Sequence, residues 1–303
     1  MKDLFPLQGI VTVLNTPFNH RNKIDFSALA RNIHQALQAG VVGFLLPAMA
    51  SEVHSLSKKE KLGMLEVALE TVNGTVPVFA GTASYTLSDS RDMIKAYQGL
   101  GCEHFLIQLP YQSDIQFKSD FLKLVESDPK VVMLQDWDFT GYGLPDELIL
   151  ELFEQVPAFR CLKIETVPAS LKYSKILKLT DGKLHVSGGW AVAQMMEALQ
   201  RGVHAFMPTG MHWIYCTIFR EYSQGNHVKA KSLFNEILPV LAFSNQHLDI
   251  SILFFKRLLW RQGVYPTAHV RQPKMAFDTI QEQIADELID KVVHLEEDIQ
   301  RGV

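Results

Sequence analysis

The sequence predicts an α/β protein, a (β/α)₈ TIM barrel with an appended C-terminal helical region. Short apolar runs of strand type alternate regularly with amphipathic segments of helical length, which is typical of repeated βα units and a parallel sheet. The apolar runs number eight, the strand count of such a barrel. After about residue 211 the strand pattern stops, and three further helical patterns follow.

The predicted elements follow one another in a simple order. The eight strand candidates are GIVTVLN, VGFLLP, VPVFAG, CEHFLIQLP, KVVMLQD, RCLKIE, LHVSGG and VHAFMPTG. The first helix is expected to start at Asp25 or Ser27, which can cap it, and to end at Gly40, whereas the second is opened by Ser57 and closed by Gly74. We expect the barrel to occupy residues 1–225 and a three-helix region, packed on the barrel, to occupy residues 226–303.

Composition excludes several classes of function. The chain carries 29 Lys and Arg against 33 Asp and Glu, scattered without a basic stripe, so nucleic acid and membranes are not expected as partners. Its three cysteines form no CxxC pair, which disfavours disulfides and thiolate zinc sites. No apolar run has the length of a signal peptide or membrane span, so we expect a cytoplasmic protein. Motifs for nucleotides and for HExxH metal sites are missing, and no cofactor or metal is expected.

Lys163 is the most unusual residue among the predicted strands. It interrupts the apolar run CLKIE of the sixth strand, and barrel active sites lie at the C-terminal ends of strands. A lysine amine that loses its hydration is more often neutral, and a neutral amine can attack a carbonyl to form a Schiff base. The alternative is a structural lysine that pairs with a carboxylate such as Glu165 or Asp136.

Motifs along the whole chain carry a family resemblance. They include TPF, ASEVHSLSKKEK, LPYQ, KVVMLQD, LKIET, SGG, GVHAF and VRQP, in this order. The chain thereby resembles the dihydrodipicolinate synthase and N-acetylneuraminate lyase family of class I, pyruvate-type aldolases. The resemblance implies a barrel, a Schiff-base role for Lys163, a small-molecule 2-oxo acid substrate such as pyruvate, no cofactor, and a homo-oligomer, either a tetramer or a dimer.

The first departure from the family lies after the second strand. The family has a Gly-Thr-Thr-Gly-Glu run that holds the substrate carboxylate, and the matching residues here are Ala48, Met49, Ala50, Ser51 and Glu52. Both threonine hydroxyls are therefore missing. The backbone N–H groups of Met49 and Ala50 could still bind a carboxylate, and Ser51 could supply a hydroxyl nearby. Glu52 is expected to brace the loop.

The second departure concerns the family's tyrosine proton relay. Its Tyr-Asn pair at the end of the fifth strand is matched here by Gln135 and Asp136, and its second tyrosine by Gln112, next to Tyr111. A glutamine amide can orient a substrate but has no accessible ionisation. The substitute acids or bases that the sequence offers near strand ends are Tyr111, His54, Asp136, Tyr142, His212 and Tyr215.

Residues around this position limit the substrate. The arginine with which many synthases hold the second substrate is absent, because no arginine lies between Arg91 and Arg160. Trp137 and Asp138 stand near that place, as an aromatic wall with an acceptor or as ordinary packing. By resemblance, Ser187, Gly188 and Met207 line the pocket; the alternative is that their loops cradle a phosphate, as in many barrels.

The sequence thus predicts a Schiff-base-forming lyase, an aldolase or a hydratase/dehydratase, that acts on pyruvate or a related 2-oxo acid. A true dihydrodipicolinate synthase is not expected without the arginine clamp. The main alternative is a catalytically degenerate barrel that serves as a small-molecule binding or regulatory protein, and a phosphosugar enzyme is a third hypothesis.

Overall fold

A computed structural model describes residues 2–302 and contains the predicted strands. The eight strands are β1 (Gly9–Val13), β2 (Gly43–Leu45), β3 (Val78–Gly81), β4 (His104–Ile107), β5 (Val131–Asp138), β6 (Phe159–Thr166), β7 (His185–Gly188) and β8 (Ala205–Phe206). They form a closed barrel in sequence order, and the pairs that flank the site are parallel. The predicted (β/α)₈ fold is therefore confirmed.

Helices separate the strands and follow the last one. They are α1 (Phe26–Ala39), α2 (Lys58–Val72), α3 (Leu87–Gln98), α4 (Asp114–Val125), α5 (Asp146–Gln155), α6 (Ser170–Leu179), α7 (Met195–Gln200), α8 (His212–Ser223), α9 (His227–Ser244), α10 (Leu248–Arg261) and α11 (Thr279–Arg301). Short 3₁₀ turns lie at Met49–Ser51, Val53–Ser55 and Trp190–Gln194. The expected boundary at residue 225 falls between α8 and α9, and the three helices beyond it are α9, α10 and α11.

Helix ends follow the side chains that can satisfy free backbone groups. The Asp25 side chain accepts a hydrogen bond from Ala28 N, and Gly40 ends α1 in the left-handed region at φ 99°. Ser57 caps α2, as predicted. That helix ends one residue earlier than predicted, because Asn73 adopts the left-handed conformation at φ 46° ahead of Gly74.

The chain divides into two compact units. The first contains the chain up to Gln8 together with Pro77–Met207, and so holds β3 to β8 and α3 to α7. The second contains Gly9–Val76 and the chain from Pro208 onward, with β1, β2, α1, α2 and α8 to α11. The strands of both units are almost wholly buried, since a barrel strand is covered on both faces.

Within the second unit, the trailing helices are joined to earlier elements by polar contacts. Two ion pairs link α10 to α11, namely Arg257 with Asp286 and Arg261 with Asp290. The Glu296 carboxylate of α11 accepts a hydrogen bond from Trp213 N at the start of α8. Between residues 2 and 302, no helix combines the length and the apolar character that crossing a membrane requires.

Candidate active site

One row of side chains crosses three neighbouring strands of the first unit. The register pairs Gln135 of β5 with Lys163 of β6, and Lys163 with Ser187 of β7. Paired residues of a parallel ladder point to the same face of the sheet. The structure therefore brings three of the predicted site residues together, with Lys163 in the middle.

The Lys163 amine is held in a buried ion pair. Its Nζ atom lies 3.1 Å from Glu165 Oε2, and Glu165 lies two residues further along β6, on the same face. Gln135 Nε2 donates a hydrogen bond to the same carboxylate oxygen. The exposed fraction is 5% for Lys163, 8% for Glu165 and 4% for Gln135, so this charge pair is almost completely removed from water.

The backbone at Gly189 closes directly over this pair. A Cβ atom at that position would overlap Glu165 Oε1 and lie 2.6 Å from Lys163 Cε. Only a glycine allows the chain after β7 to approach so closely. The second glycine of the SGG motif is therefore explained by the packing of the lysine and the glutamate.

Asp136 lies on the opposite face of β5 and contacts a different lysine. Its carboxylate forms an ion pair with Lys172 of α6 and accepts a hydrogen bond from Leu144 N at 2.8 Å. Lys172 also donates to the carbonyl oxygens of Tyr142 and Leu144 at 2.7 and 2.6 Å. Burial raises the pKa of Asp136 and lowers the pKa of Lys172. The structure thus separates Asp136 from Lys163 and gives it the role of a structural counter-ion.

The predicted pocket residues of β7 and its neighbour are tied to the sheet. The Ser187 hydroxyl donates to Leu162 O at 3.3 Å, and Met207 N donates to Gly188 O at 2.9 Å. All three of Ser187, Gly188 and Met207 are buried. Because the Met207 N–H bonds to the sheet itself, it does not serve as a phosphate donor.

Gln112, which is matched to the family's second tyrosine, and its neighbour Tyr111 lie in an exposed loop of the first unit. Tyr111 and Gln112 stand between β4 and α4, and both are exposed. The Tyr111 hydroxyl donates to Asp114 Oδ1 at 2.6 Å, and this bond raises the pKa of Tyr111. A phenol that is stabilised in its neutral form by a carboxylate is a poor general base near neutral pH.

The residues that follow Gln135 along β5 take two different roles. Trp137 pairs in register with Glu165, is about half exposed, and makes an edge contact with Phe139 at 5.3 Å between ring centroids. Asp138 accepts hydrogen bonds from the backbone N–H and hydroxyl of Thr140, and these bonds lower its pKa. The indole is available to a ligand, whereas the Asp138 carboxylate is engaged in its own turn.

The predicted carboxylate-binding turn belongs to the second unit. Met49–Ser51 forms a 3₁₀ turn. The N–H groups of Met49 and Ala50 lie at its start, where a backbone N–H has no carbonyl acceptor within the turn. The Ser51 hydroxyl is buried, donates to Leu14 O at 2.5 Å, and accepts from Ala48 N at 3.0 Å. Ser51 therefore holds the turn in place; binding of a carboxylate by the Met49 and Ala50 N–H groups stays a prediction.

Glu52 braces this turn, as the sequence predicts. It adopts the left-handed conformation at φ 57°, pairs with Lys256 Nζ at 2.6 Å, and accepts from Arg271 N at 2.6 Å. Burial lowers the pKa of Lys256 to about 8. Arg271 lies in the VRQP motif, so this motif is a structural partner of the loop after β2.

The remaining candidate acids and bases lie outside the row that contains Lys163. In the second unit, His212 Nε2 contacts Asn32 Oδ1 at 3.0 Å and His212 Nδ1 contacts Thr12 Oγ1 at 3.3 Å, and burial lowers the pKa of His212 to about 4. Burial raises the pKa of Tyr215, which lies in the same helix. His54 is exposed. In the first unit, the Tyr142 hydroxyl donates to Asp146, which is not part of the row that contains Lys163.

Two features of the buried charges in the first unit were missed when the sequence was read alone. Glu165 entered the sequence argument only as a structural counter-ion, although its spacing of two from Lys163 on a strand already places both side chains on one face. Lys172 went unnoticed because a lysine within a helical pattern is ordinarily solvated, whereas here it is fully buried.

Comparisons with known proteins agree with the fold. The model of the dihydrodipicolinate synthetase family matches residues 6–292. The 4-hydroxy-tetrahydrodipicolinate synthase of Bacillus subtilis strain 168 is 31% identical over 241 residues, covering 77% of this chain and 82% of the relative. The L-2-keto-3-deoxyarabonate dehydratase of Azospirillum brasilense is 23% identical over 88% of each chain. The crystal structure of dihydrodipicolinate synthase from Rhodopseudomonas palustris superposes with a TM-score of 0.88 at 18% identity, over 96% of this chain and all of the other.

Proposed function

Because the chain belongs to the dihydrodipicolinate synthetase family and is an enzyme of this group of lyases, we propose that Lys163 forms a Schiff base with a 2-oxo acid. The observation that carries the proposal is the position of the amine, buried in the row with Gln135 and Ser187. An amine at such a site attacks the carbonyl carbon, and the resulting iminium withdraws electrons from the adjacent bonds. A bond at the neighbouring carbon can then be broken or formed.

The row around Lys163 supports this chemistry in two ways. The buried Glu165 carboxylate beside Nζ can accept the proton that the ammonium must lose before it is nucleophilic. The half-exposed Trp137, in register with Glu165, offers an aromatic wall at the same end of β5. The amine is therefore both shielded from water and next to a proton acceptor.

The substrate we propose is pyruvate or a related 2-oxo acid, used in a reaction other than dihydrodipicolinate synthesis. The chain has no arginine between Arg91 and Arg160, so a bidentate clamp for a second carboxylate is missing from this region. A relative of similar length acts as a dehydratase on a 2-keto-3-deoxy sugar acid, as its name states. Dehydration or aldol cleavage of such an acid needs no second carboxylate clamp.

An independent feature of the second unit supports an anionic ligand. The N–H groups of Met49 and Ala50 lie at the start of the 3₁₀ turn Met49–Ser51, where backbone donors have no acceptor within the turn and can bind an anion. Backbone donors serve this purpose without the two hydroxyls that this chain lacks. Glu52 and Ser51 hold the turn in place and so fix the direction of both donors.

The proposal is tested by borohydride reduction in the presence of pyruvate or 2-keto-3-deoxyarabonate, followed by peptide mass analysis. We expect the mass of one reduced adduct on the peptide that contains Lys163, and none in Lys163→Ala. Lys172 provides a control inside the same protein, because it is a buried lysine of α6 that pairs with Asp136 on the opposite face of β5. Failure of every tested 2-oxo acid to modify Lys163 would refute the proposal.

One observation favours a second function, that of a non-catalytic small-molecule binding protein. Lys163 is engaged in an ion pair, which is also what a purely structural lysine would show. The two functions differ in turnover: an enzyme consumes the acid that traps on Lys163, and the Lys163→Ala variant does not. Binding of a 2-oxo acid without adduct formation or consumption would identify the binding protein.

We also propose a cytoplasmic homo-oligomer, a dimer or a tetramer. Large apolar side chains are exposed on the first unit, including Ile115, Leu171 and Val167, and exposed apolar surface commonly marks an interface. All three cysteines are buried and unpaired, which suits a reducing compartment. Sedimentation velocity across a range of concentrations would detect the assembly, and a single monomeric species would exclude it.

A further inference from the structure

Within the family resemblance, this chain lacks the tyrosine that shuttles protons during imine formation, and Gln135 occupies its place on β5. Imine formation still requires that two protons leave the lysine nitrogen and that two reach the departing oxygen. Gln135 cannot carry them, because an amide does not ionise in the accessible range. The Ser187 hydroxyl is already donated to Leu162 O.

Of the side chains established in this row, Glu165 is the one that can both accept and release a proton. Among the described residues, it is the carboxylate that forms an ion pair with Lys163, with its Oε2 atom 3.1 Å from Nζ. The Gln135 amide donates to that same oxygen, and Gly189 lies against the other one. The carboxylate is thus fixed from two sides with one oxygen directed at the nitrogen on which the reaction occurs.

We propose that Glu165 is a catalytic residue, the general acid and base of Schiff-base formation at Lys163, in place of the tyrosine. This inference rests on the proposed function. Gln135 acts as a positioning residue, because its side-chain amide donates a hydrogen bond to the Glu165 oxygen but does not ionise. Buried carboxylates beside a reacting group are an established means of moving protons near neutral pH.

The proton transfers balance with this single carboxylate. Glu165 takes one proton from the Lys163 ammonium, and the neutral amine attacks the substrate C2, forming the C–N bond. The carboxylic acid gives that proton to the carbonyl oxygen, which yields a carbinolamine and regenerates the carboxylate. It then takes a second proton from the nitrogen and delivers it to the hydroxyl. The C–O bond breaks, water leaves, and the iminium remains.

The alternative role for Glu165 is that of a counter-ion that only holds Lys163 in place. A counter-ion requires a charge, whereas a proton shuttle requires the ability to titrate during the reaction. Glu165→Gln keeps the shape of the side chain but can no longer gain and lose a proton. Glu165→Asp keeps the charge, and hence the pair that stabilises the fold, but withdraws the carboxylate by one methylene group.

The experiment measures the rate of adduct formation at Lys163 with pyruvate under borohydride trapping, as a function of pH. We expect Glu165→Gln to slow trapping by about 10²- to 10⁴-fold and to flatten the pH profile of the rate. Glu165→Asp should slow it at least about tenfold while the profile persists. Asp146→Asn is the matched control, another buried carboxylate of the first unit, paired with Lys175, and should trap at the wild-type rate.

Chemical rescue adds a readout that a structural role would not change. In Glu165→Ala, added formate can occupy the space of the missing carboxylate, and we expect it to restore a part of the trapping rate. Wild-type rates with an unchanged pH profile in both Glu165→Gln and Glu165→Asp would overturn the proposal. If Glu165→Gln does not fold, Glu165→Asp decides alone. Absence of any adduct in the wild-type protein would instead overturn the proposed function itself.

Discussion

Replacing Lys172 with methionine is expected to destabilise the protein in a way that depends on pH. In the variant, the Asp136 carboxylate stays buried against α6 without its ion-pair partner and keeps only the bond from Leu144 N. An isolated buried carboxylate is more stable when it is protonated. The folded variant will therefore hold a proton on Asp136 that the unfolded chain releases.

The size of this effect follows from the ordinary pKa of 3.8 for Asp136. Keeping the carboxyl protonated at about pH 7 costs about 4 kcal/mol, since each unit between the pKa and the pH contributes about 1.4 kcal/mol. At about pH 5.5 the same cost is about 2 kcal/mol. Because the folded pKa is raised, the stability is present at low pH and is lost as the pH rises above the unfolded value.

Urea unfolding, followed by far-UV circular dichroism at both pH values, measures these free energies. The double variant Asp136→Asn/Lys172→Met contains no orphaned charge, and we expect it to lie within about 2 kcal/mol of wild type at either pH. Borohydride trapping at Lys163 should persist in the folded Lys172→Met protein. A loss of the same size at both pH values, or equal losses in single and double variants, would show that the pair is not held as a desolvated charge pair.

Three further predictions concern other parts of the chain. Gly189→Ala should slow trapping at Lys163 at least about tenfold, because the added Cβ displaces the lysine stem, whereas Gly99→Ala, at a helix end with negative φ, should trap normally. Burial lowers the pKa of His212 in the folded protein to about 4, below its value in the unfolded chain. The free energy of unfolding of the wild type should therefore fall by about 2 kcal/mol relative to that of His212→Gln as the pH drops from about 6.5 to about 5, and parallel stability curves would contradict this. Ser51→Ala should cost about 1–2 kcal/mol in urea unfolding, since it removes two buried hydrogen bonds, and an unchanged midpoint would show that the hydroxyl does not hold the turn.

The strands were predictable from the sequence for a simple physical reason. A strand of a closed parallel barrel is covered on both faces, so it appears as a continuous apolar run, and each helix between the strands must bury only one face. A lysine inside such a run is conspicuous, which is why Lys163 could be identified before the structure was known. Helix ends were nearly as predictable as the strands. The exception is the end of α2, where Asn73 already adopts the left-handed conformation one residue before Gly74.

The register that places Gln135 beside Lys163 was not predictable, because it depends on one irregularity in the sheet. Val132 pairs with Phe159, but the next residue, Met133, pairs with Cys161, so the register shifts by one residue at this point. Without the shift, Asp136 and not Gln135 would lie beside Lys163. A bulge of this kind moves all later side chains of a strand to new neighbours, and no periodicity of the sequence records it.

Lys163, for which we propose a reactive role, and the structural Lys172 differ in the acceptors that surround their amines. Lys172 directs its three donors at three acceptors, the carbonyl oxygens of Tyr142 and Leu144 and the Asp136 carboxylate, so loss of a proton would leave an acceptor unsatisfied. Among residues 2–302, the ion-pair partner of Lys163 is a single carboxylate oxygen, which Gln135 also occupies. In the proposed mechanism, proton transfer from Lys163 to that oxygen would leave the amine free to react. Both lysines are buried, so we expect the number of fixed acceptors, and not burial, to decide which amine reacts with a carbonyl.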